Sequence, residues 1–87
     1  MTDERAELRR LGDELKTMGD ELRLKMHLAK AEARDEFENL ERRLDHARGR
    51  LVVIGSEVRE ASKDVLRATR EVLDEIKAGY QRVRKLI

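Results

Sequence analysis

His46-Ala47-Arg48-Gly49-Arg50-Leu51-Val52-Val53-Ile54-Gly55-Ser56 is the stretch on which the reading of this chain turns. Gly49 and Gly55 are weak points in a helix, each costing about 0.8–1 kcal/mol relative to alanine, and Ser56 has the side chain of a helix cap. Read as a turn, the stretch gives a helical hairpin with arms at residues 3–48 and 56–86. Read as helix, it joins the two halves into one rod. The apolar register favours the rod: Leu44, Ala47, Leu51, Ile54 and Val58 cross the segment at steps of three and four without losing phase, and both glycines fall off that line.

Working outward, the same spacing extends almost from end to end. Before the central stretch it runs through Leu8, Leu11, Leu15, Met18, Leu22, Met26, Ala29, Ala33, Phe37 and Leu40. After it come Ala61, Val65, Ala68, Val72, Ile76, Gly79, Val83 and Leu86. Three- and four-residue steps draw one narrow stripe along an α-helix, the pattern of helices that pack on other helices. From Leu15 to Leu40 the steps run 3, 4, 4, 3, 4, 4, 3, an eleven-residue repeat close to the natural helix period. From Leu40 to Val72 they alternate four and three, as in a left-handed coiled coil. The fold class is therefore all-α: a long amphipathic helix, about 125 Å if unbroken, or a hairpin turning near residues 48–56, forming an antiparallel coiled coil or small helical bundle. Gly12 and Gly19 are read as off-seam soft spots. Thr2, followed by Asp3 and Glu4, suits a helix start.

Composition supports that class. Proline is absent, removing the strongest helix breaker. Charged residues make up 45% of the 87 residues and aromatics 2%, so a compact monomer has few large anchors and oligomerisation is the expected route to stability. Residues 1–87 form a single helical unit. Residues 1–45 carry ten Lys/Arg against thirteen Asp/Glu, and residues 46–87 carry ten against six. Acidic and basic halves attract when laid antiparallel, within one chain or between two. Alanines alternating with larger residues at the seam (Ala47, Ala61, Ala68) favour close antiparallel approach over a leucine zipper.

The expected oligomer seam comprises Leu8, Leu11, Leu15, Leu22, Met26, Phe37, Leu40, Leu44, Leu51, Ile54, Val58, Val65, Val72, Ile76 and Val83. The apolar face widens at Leu24 and Leu28 in the first half and at Leu66 and Leu73 in the second, a width that a two-stranded coil does not need and a bundle does. These four form a candidate face for a partner helix. Arg42, Arg43, Arg48 and Arg50 are the one basic concentration and a candidate anion-binding group. Net charge near zero and the lack of stacking aromatics disfavour nucleic acid as its ligand, and carboxylates of a neighbouring helix are the better partners.

Chemistry has little to stand on. Cysteine is absent, which excludes disulfides and thiolate sites and is compatible with a cytoplasmic protein. His27 and His46 have no carboxylate three or four residues away, the spacing a helical metal site needs. The carboxylate pairs Glu32–Glu36 and Glu71–Glu75 lack the cleft that would split their pKa values. No cofactor motif is present, and the longest apolar run, Leu51–Ile54, is far short of a membrane span. The reading is a non-enzymatic, self-associating coiled-coil protein acting as scaffold, spacer or adaptor. Its partners are copies of itself, in antiparallel arrangement, and another helical protein. The alternative is a binding module that docks a partner helix on the widened face or nucleic acid at the arginines.

Overall fold

A computed structural model describes residues 4–56 and 63–87. Three α-helices account for nearly all of them: α1 (Glu4–Lys25), α2 (Ala31–Ser56) and α3 (Lys63–Lys85). A short 3-10 turn, Met26–Leu28, links α1 to α2. The helices pack against one another in a bundle with Cα extents of 45 × 21 × 18 Å. Cross-helix ion pairs give the directions. Arg23 meets Glu41 and Asp13 meets Arg48, so α1 and α2 are antiparallel. Arg43 meets Glu75 and Glu36 meets Arg82, so α2 and α3 are antiparallel too. Glu7 with Arg70 and Glu21 with Arg84 make α1 and α3 parallel.

The small helical bundle is thus the form the chain takes, and the single 125 Å rod is not. The central stretch stays helical as far as Ser56, with Gly49 inside α2, so the hairpin with its turn at 48–56 is not the form either. The first reversal falls instead at Met26–Lys30, which contains neither glycine nor proline. There the backbone leaves the helix at Ala29 (φ −88°, ψ 152°), whose N–H donates to the Met26 carbonyl at 3.0 Å. The apolar register passes through this corner because Met26 and Ala29 are themselves buried beneath it. Unbroken phase does not require an unbroken helix when the corner residues also face the core. Closing the seam within one chain needs no second molecule, which favours the bundle over an intermolecular rod.

The core follows the seam closely in α1 and α2. Leu8, Leu15, Leu22, Met26, Phe37, Leu40, Leu44 and Leu51 are buried, and Leu11 is partly buried against them. In the first half of α3 the buried stripe runs one residue off the expected line, with Leu66, Thr69 and Leu73 inside; from Ile76 on, the expected Ile76, Gly79 and Val83 are buried, joined by Tyr80. Val65 is 46% exposed and Val72 only partly buried. The larger residue of each neighbouring pair wins the interior, Leu66 over Val65 and Leu73 over Val72, since burying a large apolar side chain contributes about 1.5–3 kcal/mol. Thr69, the one polar residue on this stripe, turns its hydroxyl to the Val65 carbonyl at 2.9 Å. The expected cap at Thr2, the seam positions Val58 and Ala61, and the side chains of Ile54 and Ser56 lie outside the described residues.

Three glycines mark where helices touch. A β-carbon on Gly79 would stand 2.6 Å from Leu40 Cδ2, and one on Gly12 would stand 3.3 Å from Leu51 Cδ1. Gly19 faces Tyr80. Gly12 and Gly19, read from sequence as soft spots off the seam, are buried contact points instead.

Candidate interaction surfaces

With the seam spent on the fold, the surface available to other molecules is what points outward. Parallel α1 and α3 bring their C-terminal ends to the same end of the bundle. Leu24 is 76% exposed and Leu28 70%, and just past α3 Leu86 is 62% and Ile87 39% exposed at that end. Leu24 follows buried Leu22 by two residues, about 200° around the helix, and so faces away from the core. Of the four residues expected to form a partner face, Leu24 and Leu28 are outward, whereas Leu66 (8% exposed) and Leu73 (0%) are in the core.

The arginine group divides in two. Arg43 donates to Glu75 at 2.7 Å and Arg48 to Asp13 at 3.4 Å, each bridging to a neighbouring helix. Carboxylates of adjacent helices therefore partner half of the group. Arg42 and Arg50 lie exposed on the outer face of α2. One member of each carboxylate pair is likewise engaged across helices: Glu36 accepts from Arg82 at 3.2 Å, and Glu75 from Arg43. Six ion pairs among the described residues join different helices. All are surface pairs, so each contributes only about 0–1 kcal/mol, and together they fix register more than they stabilise. The hydrogen bond to Glu41 is the main reason the Arg23 guanidinium has its pKa raised further.

One buried polar group lacks a partner among the described residues. Tyr80 is fully buried, its ring 5.8 Å from that of Phe37 and tilted by 34°. Its hydroxyl has no hydrogen-bond partner among the described residues. Burial pushes its pKa up to about 12, with the charges of Glu41, Asp45 and Asp20 adding to the effect. Tyr80 lies one residue beyond Gly79 of the apolar ladder, and the packing of α3 carries it into the core.

His27 and His46 are both exposed, on the 3-10 turn and on the outer face of α2. Among the described residues no group of three or more His, Asp or Glu side chains is placed to hold a metal ion. No helix among them is long and apolar enough to cross a membrane. A groove of about 390 Å³ runs between α1 and α2, lined by Arg9, Gly12, Asp13, Arg48, Leu51 and Val52; the Asp13–Arg48 ion pair spans it. No family model, curated protein or solved structure matches the chain.

Proposed function

We propose that this chain is a non-enzymatic protein–protein interaction module, a small helical scaffold or adaptor that associates with copies of itself. The observation that carries this reading is the apolar end of the bundle, where four of the six exposed large apolar residues described, Leu24, Leu28, Leu86 and Ile87, are found. Apolar surface gathered in one place and rimmed by charge marks a contact surface, whereas single exposed leucines do not. The cysteine-free composition is compatible with work in the cytoplasm. Light scattering across a concentration series tests the proposal. A mass rising above one chain supports self-association; a single-chain mass up to millimolar concentration overturns it.

A second reading, docking of an amphipathic helix from another protein, is favoured by Leu24 and Leu28 in particular, four residues apart and the most exposed leucines described. Amide chemical shifts at residues 24–28, followed on titration with a leucine-rich amphipathic peptide, test it. Shifts that saturate and vanish in Leu24→Lys/Leu28→Lys support docking, and no change at these residues overturns it.

A further inference from the structure

The outer face of α2 carries a run of charges that no ion pair between the described helices uses. The arginines that flank the helix contacts, Arg23, Arg43, Arg48, Arg70, Arg82 and Arg84, each meet a carboxylate of another helix. By contrast, Glu38, Arg42, His46 and Arg50, spaced four apart on the exposed side of α2, make no ion pair to any described residue. The same is true of Asp35 and Glu32, about one and two turns earlier. The order of charge along this face is acidic at Glu32, Asp35 and Glu38, then basic at Arg42, His46 and Arg50.

Such an order is self-complementary under a two-fold axis. We propose that the outer face of α2 is a homodimer interface, in which α2 packs antiparallel on α2 of a second copy about a two-fold axis level with residues 40–41. This rests on the self-association proposed above and places a contact on α2, separate from the apolar end. Reversing the helix about that level sets Glu32 opposite Arg50 of the second copy, Asp35 opposite His46, and Glu38 opposite Arg42. At 100° per residue, Glu32 and Arg50 fall on the same flank of α2, as do Asp35 and His46, and a two-fold axis perpendicular to the helices brings like flanks together. On the other flank Asp45, the one acid in the basic half, falls about two residues, ~3 Å along the axis, from the level of Arg34, the one base in the acidic half. Both are exposed. Every charge on the face thus meets its opposite, and each contact occurs twice, as an isologous interface requires. A parallel pairing would set like against like throughout.

A separate observation concerns Gly49. It lies exposed within α2, and a β-carbon there would meet nothing within 4 Å, so nothing inside the bundle calls for a glycine. In the antiparallel pair Gly49 faces Ala31 of the second copy, at the end of the contact, where two small residues let the backbones approach. Exposed ion pairs are individually weak, so the dimer is salt-sensitive, with complementarity selecting partner and orientation more than tightness.

Sedimentation velocity on the full chain tests the interface, at low and high salt, with Arg42→Glu, Glu38→Arg and the two combined. Because both positions are exposed, the variants keep the bundle, which circular dichroism verifies. The wild type is expected to dimerise at low salt and to lose about tenfold or more in affinity near 1 M salt, where charges are screened within about 3 Å. Each single reversal is expected to weaken the dimer at least about tenfold, placing like charges across the axis twice. The double variant restores the 38–42 pairing and should recover most of the loss. Dimerisation indifferent to the single reversals, or a double variant no better than either, overturns this interface while leaving self-association standing. A wild type that stays at single-chain mass overturns both.

Discussion

Tyr80 on α3 is seated against Gly19 on α1: a β-carbon on Gly19 would stand 3.0 Å from the Tyr80 hydroxyl oxygen. The close approach lets the largest side chain in the core lie across the bundle to Phe37 on α2, so one contact ties all three helices at the end where α1 gives way to α2. The fit is asymmetric in energy. The ring gains from burial, while the hydroxyl is desolvated without a partner, which costs about 1–3 kcal/mol.

Tyr80→Phe should therefore hold stability or raise it, by up to about 1–2 kcal/mol, since it removes an unpaired buried group and keeps the ring. Urea denaturation reads the difference. A loss of more than about 1 kcal/mol would show that the hydroxyl is satisfied in solution.

The same burial gives a pH signature. In the unfolded chain Tyr80 ionises near its ordinary pKa of about 10, and in the bundle near about 12. Below pH 10 both states hold the proton and the group contributes no pH dependence. From pH 10 to 12 the unfolded state loses it first, so stability falls with rising pH, by about 2–3 kcal/mol at full effect. Tyr80 is the one tyrosine of the chain, so absorbance of the phenolate near ~295 nm reports it alone. The native midpoint should lie well above that in denaturant. Coincident midpoints would contradict the burial.

Two glycine substitutions should move stability in opposite directions. At Gly79 an alanine meets buried Leu40 at 2.6 Å, and overpacking of about 1–3 kcal/mol exceeds the gain in helix propensity of about 1 kcal/mol. At Gly49 nothing lies within 4 Å, and alanine should stabilise by about 0.8–1 kcal/mol. Thermal melts of Gly79→Ala and Gly49→Ala, taken at low concentration, decide both; equal shifts would contradict the packing at Gly79.

Leu73 and Leu24, both counted from sequence as flanks of the seam, should behave differently. Leu73 is fully buried, and Leu73→Ala should cost about 2–5 kcal/mol. Leu24 is 76% exposed, and Leu24→Ala should change the stability of the single chain by no more than about 0.5 kcal/mol. Similar losses at the two sites would contradict the orientation of α1 or α3.

The apolar ladder was legible because three- and four-residue spacing has one physical meaning, a helix with a buried side. It named Leu15, Leu22, Phe37 and Leu40 as buried before any helix was placed. It could not show that Met26 and Ala29 belong to a corner, because a corner tucked against the core obeys the same periodicity and this one lacks glycine or proline. In α3 two stripes one residue apart were both apolar, and only packing decided for Leu66, Leu73 and Tyr80. Gly12 and Gly19 misled for a related reason. Their value lies in what another helix brings to them, which sequence spacing does not record. Charge asymmetry between the halves was visible, but its resolution into ion pairs within one chain depended on where the chain turned.

The most direct test of the bundle is small-angle X-ray scattering on the dilute chain in high salt, where association is suppressed. The expected result is a radius of gyration close to the Cα value of 14.0 Å, with a maximum dimension slightly above the 45 Å Cα extent. A maximum dimension near about 125 Å, the length of one unbroken helix, would contradict the fold and with it every surface assigned above.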